Sequence, residues 1–126
     1  MKHKIVVLIG SLPSLNDVIE ANRRNKYAGA KMKKTIQNSI RMQIMSQCKD
    51  KFDMLQINIK WYEKNRKRDY DNVSSSKKFI LDALVQCKII ANDGQKNIYP
   101  KFIDEFYLDR DNPRVEIELI ERGVQG

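Results

Sequence analysis

Residues 54–84 read MLQINIKWYEKNRKRDYDNVSSSKKFILDAL. The first part alternates, with Leu55, Ile57, Ile59 and Trp61 on one side and Gln56, Asn58 and Lys60 on the other. That period of two predicts a half-buried strand. The last part changes period. Phe79, Ile80, Ala83, Leu84 and then Cys87 recur at three- and four-residue spacing, which predicts a helix over 75–88. Between the two lie a basic run, two aspartates one residue apart (Asp69 and Asp71) and a Ser-rich turn.

Elements of the same kinds flank this unit. Residues 4–10 form a continuous apolar run bounded by Gly10 and Pro13, which predicts a buried strand followed by the loop GSLPSLND. Asn16 or Asp17 can cap a short helix over 17–24, because a short side-chain oxygen accepts from the free amides of a first turn. A break is expected near Gly29. Beyond it Met32, Ile36, Ile40, Ile44 and Cys48 recur every four residues, one apolar stripe on a helix over 29–48. After the second helix, ANDGQ is a turn signalled by Asp93-Gly94. Residues 97–108 and 114–121 then read as strands, joined by DRDNP as a hairpin with a longer loop. The order is β-α-β-α-β-β. It predicts an α+β fold, a mixed four-stranded sheet with two helices packed on one face, as a single domain over 1–126.

At 126 residues the chain can bury roughly two-thirds of its unfolded surface and needs no staples. With 41% apolar and 32% charged residues, it has a globular rather than a disordered composition. Its most apolar N-terminal run, residues 5–9, is too short to span a bilayer and lacks a signal-peptide cleavage site, so a cytosolic protein with no membrane partner is expected. Cys48 and Cys87 are isolated and His3 is the sole histidine, which excludes a Cys/His zinc site. The net charge is +8, unevenly placed: residues 1–68 hold 16 Lys and Arg against 5 Asp and Glu, and residues 69–126 hold 8 against 11. The basic half is the expected face for a polyanion.

Carboxylates beside that basic run call for a reason. If the chain stays extended past the strand, Asp69 and Asp71 project to one side, roughly 6–7 Å apart, and repel unless a cation stands between them. Mg²⁺ suits this arrangement, since it takes one or two protein carboxylates and fills its other positions with water and phosphate. Asn72 can support the loop or donate to a substrate oxygen. Asp93, in the turn after the second helix, can return to the same end of the sheet. Lys78 and Asp82 share a helix face, and a lysine near the metal could neutralise charge on a phosphoryl group. Three aspartates, a lysine and a metal are the parts of phosphodiester hydrolysis. The competing account is turn chemistry, in which Asp71 or Ser74 caps the helix and Lys78 with Asp82 is a surface pair. No Walker-type loop, GxSxG or serine-activating histidine is present, so no nucleotide cofactor is expected.

The segment RDYDNVSSSKKFILDALVQCKIIANDGQ resembles the signature of the RusA family of Holliday junction resolvases. In that family an Asp-x-Asp-Asn pair precedes a helix with a lysine and a Leu-Asp-Ala-Leu-like stretch, and a turn with Asp, a small residue and Gln follows. Here these are Asp69, Asp71 and Asn72, then Lys78 before LDAL, then Asp93 to Gln95. GSLPSLND and NPRVEIEL resemble the family's first loop and closing strand. One departure is SSS at 74–76, which looks like an insertion of about three residues; counting back from LDAL matches Lys78, with Lys77 the adjacent alternative. The resemblance implies a Mg²⁺-dependent homodimeric endonuclease, with Mn²⁺ able to substitute, cutting four-way DNA junctions one strand per active site. It implies that Asp69, Asp71 and Asp93 bind the metal and that Lys78 steadies the phosphate. Arg23, Arg24, Arg66, Lys67 and Arg68, with Asn72 and Lys77, are the candidate DNA contacts. The alternatives are a non-catalytic basic DNA-binding module with structural aspartates, and a nuclease of the same chemistry acting on flaps or RNA.

Overall fold

The computed structural model describes residues 2–123, so residues 1 and 124–126 of the expected single domain lie outside the described residues. The elements are β1 (His3–Ile9), α1 (Leu15–Arg24), α2 (Lys26–Gln47), β2 (Leu55–Glu63), α3 (Tyr70–Ser74), α4 (Lys77–Gln86), β3 (Ile98–Leu108) and β4 (Arg114–Glu121). The strands form one mixed sheet in the order β1-β4-β2-β3. β4 runs antiparallel to both β1 and β2, and β3 runs parallel to β2. This is the expected α+β class with a four-stranded sheet.

The register explains the core. Val6 and Ile59 both stand opposite Ile117, while Leu8 and Trp61 both stand opposite Val115. These buried side chains therefore line one face, and the i, i+4 stripe of α2 (Ile36, Ile40, Ile44) packs there with Phe79, Ile80, Ala83 and Leu84 of α4. The other face carries Asn58, Lys60, Glu116 and Glu118. Asn58 donates to Glu118 at 2.9 Å and the His3 ring lies 2.7 Å from the same carboxylate. These two contacts, Asn58 first, hold the Glu118 carboxyl below its usual range.

Several expectations are corrected. Residues 109–113 do not close a hairpin, because β2 lies between β3 and β4. The segment instead arches over the end of β2, where the Asp109 N–H donates to the Glu63 carbonyl at 2.8 Å. The cap of α1 is Ser14, in a reciprocal pair with Asp17, so that helix starts at Leu15. The break between the first two helices falls at Asn25, which is extended and caps α2 through Tyr27 N–H. Helix α2 consequently begins before Gly29. A separate short helix, α3, precedes α4 where one helix was expected.

Both sheet edges are managed. α2 lies along the β1 edge, where Gln47 accepts from Val7 N–H at 2.8 Å and donates to Val7 C=O at 2.7 Å, and Gln43 accepts from Ile9 N–H at 2.8 Å. At the other edge β3 carries Pro100, a residue tolerated only where no ladder bond is needed.

Gly29 has a packing reason. A Cβ there would lie 2.7 Å from the Asn22 side chain and 2.8 Å from its Cα, so α1 and α2 meet over bare backbone. Gly29→Ala should destabilise the protein by about 1–3 kcal/mol through this overlap, even though alanine is the better helix former. Thermal unfolding of the two proteins checks it; an unchanged or raised Tm would contradict the close approach.

Candidate active site

The loop leaving β2 is tied down by one arginine. Arg68 donates from Nε and Nη2 to Glu63 Oε1 at 2.9 and 2.5 Å, and from Nη1 to the Leu12 carbonyl at 2.9 Å. Its side chain is 23% exposed. Residues 64–67 are thereby folded back onto the strand end and onto the loop after β1. On the far side Arg114 bridges Asp109 and Glu116, at 2.8 Å each, and keeps the 109–113 arch in place.

Just past this knot stand the two aspartates. Asp69 is the N-cap residue of α3, with extended backbone (φ −66°, ψ 154°), yet its side chain caps nothing. Asp71 lies in the first turn, and its carboxylate accepts only from the Asn72 N–H, at 3.0 Å. Extension therefore ends at Asp69, and the strand-like alternation expected through Asp71 does not hold. Both carboxylates are exposed and open into one groove of about 870 Å³, which they share with Glu63, Asn65 and Arg66. α3 is anchored from behind: Ser75 Oγ accepts from Leu15 N–H at 3.1 Å and donates to the Asn72 carbonyl at 2.6 Å, while Asn16 donates to the Asn72 side chain at 3.2 Å. Ser76, the N-cap of α4, likewise makes no side-chain cap bond. The capping role proposed for Asp71 or Ser74 is not one this geometry uses.

Two lysines at the start of α4 are occupied elsewhere. Lys77, 20% exposed, pairs with Asp104 at 2.5 Å, lies 4.8 Å from the Phe102 ring centroid, and shares Asp104 with the Trp61 indole N–H at 2.9 Å. Lys78 bridges Asp82 and Asp93, at 3.0 Å each. Hydrogen bonding to Asp82 and then Asp93 raises its pKa, so it stays protonated at neutral pH. Among the described residues Asp69 and Asp71 are in no salt bridge, and Arg66 and Lys67 are exposed with none either. Arg23 and Arg24 are exposed in the last turn of α1, outside the groove lining.

The expected convergence of Asp93 is not found within one chain. The parallel crossover from β2 to β3 carries the chain back along α4, and Asp93 stands in a second groove with Lys33, Gln37, Asp82 and Gln86. Among the described residues no three His, Cys, Asp or Glu side chains are grouped to hold an ion. Two carboxylates nonetheless fit Mg²⁺, which accepts one or two and takes its remaining ligands from water and phosphate. Asp69 and Asp71 are exposed, one residue apart in the chain, on one groove and almost free of protein donors, as such ligands must be.

Sequence reasoning missed Glu63 and Asp104, the acids that occupy Arg68 and Lys77. The only signal for Glu63 is its position at the end of the strand pattern. Asp104 is the one carboxylate at an inward-facing position of β3, opposite Ile59, and that placement became visible only with the parallel register.

A family model described as endodeoxyribonuclease RusA matches residues 20–120. The chain belongs to the RusA endodeoxyribonuclease family, whose members resolve Holliday junctions, and it is accordingly a nuclease of the kind that acts on branched DNA. No curated protein matches it. No helix among the described residues is long and apolar enough to cross a membrane.

The geometry separates two neighbours in the basic run. Arg68→Ala should cost about 1–3 kcal/mol, because it strands a largely buried Glu63 and a carbonyl, whereas Arg66→Ala should change stability by no more than about 0.5 kcal/mol, as exposed unpaired surface changes do. Equal thermal shifts for the two variants would show that the Arg68 tie is not what holds the loop.

Proposed function

We propose that this protein is a Mg²⁺-dependent, structure-selective endodeoxyribonuclease that resolves four-way DNA junctions in the cytosol, working as a homodimer. The observation that carries this is the pair Asp69 and Asp71. They are two exposed carboxylates without cationic partners, at a strand exit, in a basic chain of a junction-cutting family. A surface that must meet phosphates gains nothing from bare acid unless a cation lies between.

Asp69 and Asp71 would hold the Mg²⁺, for which Mn²⁺ is expected to substitute. The ion would supply positive charge to the phosphate and lower the pKa of an attacking water. Arg66 and Lys67, exposed beside the groove, would grip flanking phosphates, and Arg23 and Arg24 would extend that contact along the duplex. Arg68 would act indirectly, by holding the loop that presents Asp69, and Lys77 through its tie to β3. Asn72 would keep α3 seated through Asn16. Asp93 and Lys78 complete the expected catalytic set, yet they lie outside this groove in a single chain. A twofold dimer would present them to the groove of the other copy with no unfolding, and it would match the twofold symmetry of a junction.

A synthetic four-way junction tests this. Cutting should require Mg²⁺ or Mn²⁺. Asp71→Asn should lower the rate by about 100-fold or more while binding is retained, since the change removes repulsion toward phosphate. If Asp71→Asn cuts at the wild-type rate, the metal assignment fails; binding without cutting by the wild type would instead favour a regulator. Flap and RNA substrates in the same panel measure how selective the enzyme is for junctions.

A further inference from the structure

The groove has a second wall that cation chemistry does not use. Tyr70, which lies between the two aspartates in sequence, is 71% exposed. Its ring centroid stands 4.6 Å from that of Phe106, with the planes tilted by 35°. Leu108, 49% exposed, continues the surface along β3. Val73 and Trp61, behind this wall, are already buried, so Tyr70 adds little to the core. An aromatic face is thus held in position and left open to water, beside two carboxylates and an unpaired Arg66.

We propose that Tyr70, backed by Phe106 and Leu108, is a stacking platform for one unpaired nucleobase next to the phosphate at the Asp69–Asp71 end of the groove. This rests on the nuclease function proposed above and specifies what feature of the DNA the site takes. Every base has a π-face, so an aromatic platform binds without sequence preference. Inside a duplex both faces of a base are covered by its neighbours, so the ligand must be unstacked, as at a branch point or in a single strand. Charge complementarity favours DNA as the occupant: Arg66 lines the same groove and Lys67 the neighbouring one, so the two can take phosphates flanking the base. Strand addition by a second copy does not compete for the Tyr70 face, which leaves the carboxylate end of the groove to a twofold partner. The adjoining β3 edge carries Pro100, Lys101 and Glu105, features that oppose strand addition. A stable protein interface also needs about 800 Å² on each partner, far more than one exposed ring and a leucine offer.

The test is equilibrium binding of the full-length protein, without divalent ions so that nothing is cut, to a dT₁₂ single strand and to a blunt 12-base-pair duplex. Tyr70→Ala should weaken single-strand binding about 5- to 150-fold and leave duplex binding within about twofold, with Tyr70→Trp restoring the single-strand affinity. Circular dichroism confirms that the variants fold, which an exposed position favours. Equal losses on both DNAs, no loss on either, or failure of tryptophan to rescue would each overturn the platform. So would a Tyr70→Ala change in oligomeric state, by light scattering, with DNA affinity intact. The two proposals fail separately: a protein that loses strand selectivity on Tyr70→Ala yet never cuts junctions keeps the platform and forfeits the nuclease, and the reverse pattern does the opposite.

Discussion

The structure depends on β2 being paired on both sides, antiparallel to β4 and parallel to β3. Its buried row of Leu55, Ile57, Ile59 and Trp61 is the spine of the core, and both α2 and α4 pack across it. A parallel neighbour requires a crossover, because the chain must return to the starting end of the sheet before running alongside. Residues 64–97 are that crossover. The loop that leaves β2 is therefore forced out at the strand's carboxyl end, where open α/β sheets commonly place their ligands. The aspartates stand at that point.

Position alone does not make two carboxylates useful; they must also remain uncompensated. In a chain of net charge +8 this takes specific arrangement. Arg68 is engaged by Glu63 and Leu12, Lys77 by Asp104, and Lys78 by Asp82 and Asp93. These three cations are turned toward another acid or a carbonyl, while Arg66 and Lys67 stay exposed without an ion-pair partner among the described residues. Glu63 and Asp104 consequently keep neighbouring cations from the Asp69–Asp71 pair without touching it.

Much of the fold was legible because it is written in local periodicity. The alternation of β2 and of residues 114–121, and the four-residue stripe of α2, each survive in the structure within a few residues. Pairing was not legible. DRDNP looks like a hairpin link from inside its own five residues, and nothing local reveals that β2 lies between the strands it joins. The helix break moved from Gly29 to Asn25 because the glycine serves a close approach between helices, a tertiary cause invisible to a propensity argument. At the candidate site, spacing and family pattern singled out Asp69 and Asp71, and the structure places both in one groove. The inward turn of Arg68 was not legible, since an arginine in a basic run reads the same whether it meets phosphate or Glu63.

The separation of Asp93 from the pair follows from the same crossover. Helix α4 must run back along the sheet to let β3 start beside Leu55, and Asp93 belongs to the turn at its far end. That turn folds against α4 far enough for Asp93 to meet Lys78, but it remains on the flank shared with α2. A single copy thus presents two separate polar surfaces, one acidic and aromatic at the strand exit, the other a lysine held between two aspartates. The first is exposed and short of protein donors, and the second is held by its own ion pairs, so neither needs the core to be disturbed to meet a second surface. On the dimeric reading proposed above, a substrate with two equivalent strands would meet both surfaces about one twofold axis.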